Sequence, residues 1–118
     1  MKGKGRPTFG PLGPWRVTAE DIEDGQSLSM WLNVNGERMQ TGNTSKMIFG
    51  VYGLVAYISQ FMRLERGDVI TTGTPAGVGM GRSPPRYLLP GDIVAFGIEG
   101  LGSQGQVVRA SPAGINMI

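Results

Sequence analysis

The sequence predicts a mostly β fold with one main helix, an α+β domain of short strands and many turns. Three observations predict it. Twenty glycines and eight prolines in 118 residues punctuate the chain too often for a helical bundle. The dipeptide Asn35-Gly36 sits between two alternating stretches, the strongest short hairpin signal. Only one stretch, between about Ser45 and Met62, carries apolar residues at helical spacing.

In chain order, the opening Met1 to Pro14 has no hydrophobic period and reads as a loop leading into Trp15-Arg16-Val17. Lys4, flanked by glycines, either reaches an anionic ligand as a point charge or belongs to a solvated basic terminus. Thr18 is placed to cap a short helix, with Asp21 three residues on, and Asp24-Gly25 ends it. Leu28, Met30, Leu32 and Val34 then alternate with Ser29, Trp31 and Asn33, so this strand has one core face. Its Trp31 face is open to cover by another subunit. Glu37 to Thr41 returns as the hairpin partner.

Asn43 or Thr44 is expected to cap the helix, whose apolar positions Met47, Ile48, Val51, Leu54, Val55, Ile58, Phe61 and Met62 form one stripe. Met39, Met47 and Met62 read as core filler rather than ligands. Two related units follow. Leu64 to Ile70 and Leu88 to Val94 share the pattern Leu-x-x-Gly-Asp followed by two β-branched residues, which predicts two turn-plus-strand units. Asp68 and Asp92 suit turns, where Asp bonds nearby backbone N–H groups. Between the units, Arg82 and Arg86 either contact an acidic substrate or keep a proline loop soluble. Gln106 to Arg109 is a last strand, and Ser111 to Ile118 a tail.

Val69 to Thr72 reads as a buried strand that runs into Thr72-Gly73-Thr74, where two hydroxyls flank a glycine and backbone can approach a ligand. Pro75 ends the ladder, and Gly77, Gly79 and Gly81 make a loop. This is either an anion cradle or an ordinary turn after a strand; the local chemistry leaves both open.

Composition sets outer limits. A formal charge of +2, with basic residues dispersed except at Lys2, Lys4 and Arg6, is too weak a footprint for nucleic acid. No cysteine means no disulfide framework and no thiolate chemistry. No run is long enough for a transmembrane helix, and Met1 to Trp15 lacks the apolar core of a signal peptide. The expectation is a soluble, cytoplasmic protein of one domain.

The words GDVITTGTPAGVG, PPRYLLPGD and IEGLG, with GPLGPWRVT, WLNVNGERMQTGNTSKMIFG and YISQFMRLERGDVITTGTP, occur here in an order that resembles the fumarylacetoacetate hydrolase family. The resemblance covers Gly3 to Gln106 and is closest to bacterial acylpyruvases, ureidoglycolate lyase-like proteins and hydroxyhepta-diene-dioate isomerases. It implies a β-roll or barrel, usually dimeric, that binds Mg²⁺ or a similar divalent cation at three acidic side chains. It implies hydrolysis, isomerisation or decarboxylation of a small oxo acid. The family's active-site lysine matches Lys4, and its substrate-binding threonine matches Thr74, with Gly73 beside it. Pro7 stands where many relatives have Asp.

The family's catalytic His, its Glu-x-Glu pair and its Asn-Asp-x-Ser-Ala-Arg-like word have no match in this sequence, which contains no His at all. The chain is therefore expected to be an N-terminally truncated, partial catalytic domain, residues 1–118. It is expected to hold no metal by itself, since a Mg²⁺ site needs converging hard oxygen ligands. The alternative reading is a non-catalytic β-barrel module that binds small anions or assembles into a homo-oligomer.

Overall fold

The computed structural model describes residues 8–110. It is an α+β fold: a four-stranded antiparallel sheet in the order β2-β1-β3-β4, with one short helix beside it. The strands are β1 (Ser29–Val34), β2 (Glu37–Asn43), β3 (Ile93–Ile98) and β4 (Gly102–Val107), and the helix is α1 (Val51–Ile58). The expected hairpin forms as read. Asn35 and Gly36 take the positive φ values, 51° and 83°, that a tight turn of matching twist requires.

Within the hairpin, Leu32 pairs with Gln40 but Asn33 pairs with Arg38, so Met39 is an extra, bulged residue on β2. The bulge bends β2 and turns the Met39 carbonyl toward a neighbouring loop. On the face expected to be open, Trp31 is half-covered. The Arg38 guanidinium lies 5.0 Å from its ring centroid. Gly97, paired with Trp31 across the sheet, leaves room for the indole, since a Cβ there would stand 3.0 Å from the ring.

The repeated Gly-Asp pattern is a repeat of turns. In each copy the Asp backbone N–H donates to the carbonyl three residues earlier, Glu65 at 3.2 Å and Leu89 at 3.0 Å. In each copy the Asp carboxylate takes back the N–H of that same residue, both at 2.8 Å. Gly67 and Gly91 supply nearly equal positive φ, 99° and 97°. The strands differ: Asp92 leads into β3, whereas no strand forms over residues 69–72. The expected strand at Val69 to Thr72 is thus corrected. β-branched side chains favour extended backbone, but a ladder also needs a free facing edge.

The expected helix from Ser45 to Met62 is corrected to eight residues. Asn43 caps as anticipated, its Oδ1 accepting from Ser45 N–H at 2.9 Å, but the turn it starts is a 3-10 turn, Thr44–Lys46. Met47 and Gly50 then lie extended, and α1 begins afresh where Gln26 Oε1 accepts the Val51 N–H at 2.9 Å. A side chain remote in sequence therefore sets this helix start. Beyond Ile58 the chain tapers through short-range turns to Met62. The expected helix at Thr18 is a single 3-10 turn, Ala19–Asp21, in which the Thr18 hydroxyl donates to the Asp21 carboxylate at 2.8 Å instead of capping backbone. The last strand begins at Gly102, not Gln106.

Val34 is the one buried hydrophobic side chain among the described residues, at 5% exposure. The sheet is open, with β2 and β4 as its edges, so the expected roll or barrel closure is not seen among these residues. No helix among them is long and apolar enough to cross a membrane.

Candidate functional site

The segment that begins at Thr74 is fastened to β2 by four contacts. Gln40 on β2 donates from Nε2 to the Thr74 hydroxyl oxygen at 2.9 Å and to the Pro75 carbonyl at 2.8 Å. Pro75 packs on β2 where only glycine fits, since a Cβ on Gly42 would come within 2.8 Å of the Pro75 ring. Gly77, at φ 102°, lies directly on the bulged Met39 carbonyl, where a Cβ would collide. The loop expected from glycine content alone is therefore a seated one.

Seating it this way orients a donor. Pro75 O is a pure acceptor, so the Gln40 amide must present its NH₂ there, and its second hydrogen reaches Thr74 Oγ1. Because Thr74 accepts that bond, its own hydroxyl hydrogen remains to donate. Thr74 is exposed, and it lines a cleft of about 550 Å³.

This cleft is lined by the Thr72-Gly73-Thr74 segment and by residues of the Asn43 to Phe49 segment, with Met30 and Leu54 contributing apolar surface. Among the described residues its polar lining consists of threonines, Asn43 and Lys46, with no carboxylate. A cavity with hydroxyl donors, an amide and one lysine favours an anion. A second cleft of about 550 Å³, lined by Trp15, Phe96 and Leu101, holds both Arg16 and Asp68, so its charges offset and it has no comparable preference.

The donor set of the Thr74 cleft does not fit a divalent cation held by carboxylates. Mg²⁺ and related ions take hard, charged oxygen ligands in number, and here the charged group is a cation. Among the described residues, no group of three or more His, Cys, Asp or Glu side chains is placed to hold a metal.

Outside the cleft lining, Asp92 anchors three segments. It is 8% exposed and accepts from the Leu89 N–H at 2.8 Å, from Asn35 Nδ2 at 2.8 Å and from both guanidinium nitrogens of Arg86 at 3.3 and 3.4 Å. The Leu89 N–H, then Asn35, then Arg86 hold its carboxyl down to about 2 from the ordinary 3.8. Asn35 reciprocates, its Oδ1 accepting the Ile93 N–H at 2.8 Å. The β1–β2 turn, the start of β3 and the Arg86 loop thus share one carboxylate.

The structure brings Thr74 and Gly73 into the anion-favouring cleft; Lys4 lies outside the described residues. Asp68 and Asp92 are turn formers, as expected. Neither arginine enters the cleft: Arg82 pairs with Glu37 at 3.1 Å and Arg86 with Asp92. Sequence reasoning missed Gln40 and Lys46. Both stand in the stretch Gln40 to Lys46, which the sequence presented only as a hairpin end and a helix cap. The dense polar run Thr41-Gly42-Asn43-Thr44-Ser45 beside them was the available signal.

Comparison with known proteins adds family context. The family model for the fumarylacetoacetate (FAA) hydrolase C-terminal region matches residues 1–109. A Burkholderia multivorans protein whose name proposes a hydrolase is 59% identical over 111 residues, 93% of this chain and 39% of that protein. Fumarylacetoacetate hydrolase from Exiguobacterium antarcticum superposes with a TM-score of 0.89 at 43% identity, over 93% of this chain and 39% of that one. Maleylpyruvate hydrolase from Sphingobium sp. SYK-6, in complex with manganese (II) ion and pyruvate, gives a TM-score of 0.78 at 37% identity, over 86% and 36% of the two chains. The chain thus spans about two fifths of the length of the curated relatives it matches.

Proposed function

The chain belongs to the fumarylacetoacetate hydrolase family, and from that premise we propose that it is the oxo-acid-binding part of a catalytic domain that hydrolyses, isomerises or decarboxylates a small oxo acid. Thr74 donates to a carboxylate or keto oxygen, Gly73 lets backbone approach, and Lys4 supplies the catalytic cation by its place in the family pattern. The observation that carries the reading is the Gln40–Thr74 bond, which leaves the Thr74 hydroxyl free to donate at a cleft with no carboxylate among the described residues.

The reaction's divalent cation, Mg²⁺ or a similar ion, belongs to acidic side chains outside this cleft, and the sheet to a larger roll. Cytoplasmic location and self-association complete the proposal. Ile48 and Tyr52 stand 93% and 88% exposed, which favours cover by another surface. The family match supports this reading over a non-catalytic module.

Calorimetric titration of the 118-residue chain with pyruvate tests it. Losing one hydroxyl donor costs about 1 kcal/mol, roughly fivefold in affinity, so Thr74→Val weakens pyruvate binding by that factor and Thr74→Ser restores it. Equal affinity for wild type and Thr74→Val would remove Thr74 from the site.

A further inference from the structure

We propose that Lys46 is a specificity-determining residue, one that pairs with a second carboxylate of the substrate and so selects dicarboxylate oxo acids over monocarboxylates. The inference rests on the reading that Thr74 holds the oxo-acid end. Among the described residues Lys46 is the one charged side chain lining the cleft, which it shares with Thr74. Among the described residues it makes no ion pair.

Its backbone is held in place by bonds that do not involve its own side chain. Asn43 caps the turn through Ser45 N–H. The Thr44 hydroxyl accepts the Leu28 N–H at 2.8 Å, and the Thr44 carbonyl accepts both Gln26 Nε2 at 2.6 Å and the Met47 N–H at 3.1 Å. Gln26 is itself fixed by Val51. A short 3-10 turn rarely needs so many partners, and the result is a preorganised base for a flexible ammonium. The same cleft also presents Met47, Phe49 and Leu54, apolar surface suited to the carbon chain joining two carboxylates.

A lysine in this position separates ligands by charge count. For a substrate carrying carboxylates at both ends, one end meets hydroxyl donors and the other an ammonium; a monoacid leaves Lys46 solvated and gains nothing from it. Because Lys46 is exposed, the gain is moderate and falls with salt.

The test uses two probes that differ only in the second carboxylate, 2-oxoglutarate and 2-oxopentanoate, titrated calorimetrically into the 118-residue chain at low salt. Wild type is expected to prefer 2-oxoglutarate by about fivefold. Lys46→Met brings the ratio to about one, and Lys46→Arg retains it. A preference that survives in Lys46→Met, or no preference in wild type, overturns the inference. If 2-oxopentanoate binds in a Thr74-dependent way while the diacid preference is absent, only the role of Lys46 fails. If neither probe binds, the Thr74 reading and this inference fail together.

Discussion

Gly77→Ala is expected to unseat the loop that carries Thr74. Its φ of 102° is left-handed backbone, which costs an L-residue about 1–2 kcal/mol. The new Cβ would also collide with the Met39 carbonyl oxygen while lying 3.2 Å from the carbonyl carbon and 3.3 Å from Gln40 Cγ. Backbone cannot rotate out of the way, so overpacking adds about 1–3 kcal/mol. Two outcomes compete: the loop stays and bears the strain, or it lifts off β2 and gives up the two Gln40 hydrogen bonds, about 1–3 kcal/mol together. The cheaper one sets the loss, at about 1–3 kcal/mol. For 118 residues the unfolding entropy is about 0.25 kcal/mol per degree, so Tm falls by roughly 4–12 °C. Gly73→Ala is the control, since a Cβ there meets nothing within 4 Å. Thermal unfolding by circular dichroism, with urea titration as a second measure, reads both variants. If Gly77→Ala lowers Tm no more than Gly73→Ala does, the loop is not seated on the Met39 bulge.

Gln40→Leu removes both bonds that orient Thr74 and Pro75; urea unfolding should show a loss of about 1–3 kcal/mol, and pyruvate titration a weakened affinity even though Thr74 is intact. Asp92 carries a pH signature. Its carboxyl is depressed in the folded chain, so its contribution is complete above the unfolded value of 3.8 and is lost as pH falls through about 2. Urea midpoints measured from pH 5 to pH 2 should drop across that window, and Asp92→Asn should be less stable at neutral pH with a flatter profile below 4.

What the sequence made legible was local chemistry. Asn35-Gly36 dictated its hairpin because two consecutive positive φ values have few other solutions, and the paired Gly-Asp words produced near-identical turns because their hydrogen bonds close within four residues. What it hid depended on distant partners. Val69 to Thr72 has strand composition, yet a strand exists only if another edge receives it. The helix stripe from Met47 to Met62 was real as a pattern, but Gln26, twenty-five residues before Val51, decides where helix begins. In the site, Thr74 and Gly73 were readable from a hydroxyl-glycine-hydroxyl run at the end of a β-branched stretch. Gln40 and Lys46 were not, because their relation to Thr74 arises only once the β2 bulge and the pinned Thr44 turn bring the two walls together.

The most direct test of the central claim, that the Thr74 cleft receives an oxo acid, is a ¹⁵N–¹H spectrum of the labelled chain titrated with pyruvate. The account predicts saturable shifts at Thr72, Gly73, Thr74 and Asn43 to Lys46, with the cleft around Trp15, Phe96 and Leu101 unmoved. Shifts confined to that second cleft, or no saturable shifts along Thr72 to Thr74, would contradict it.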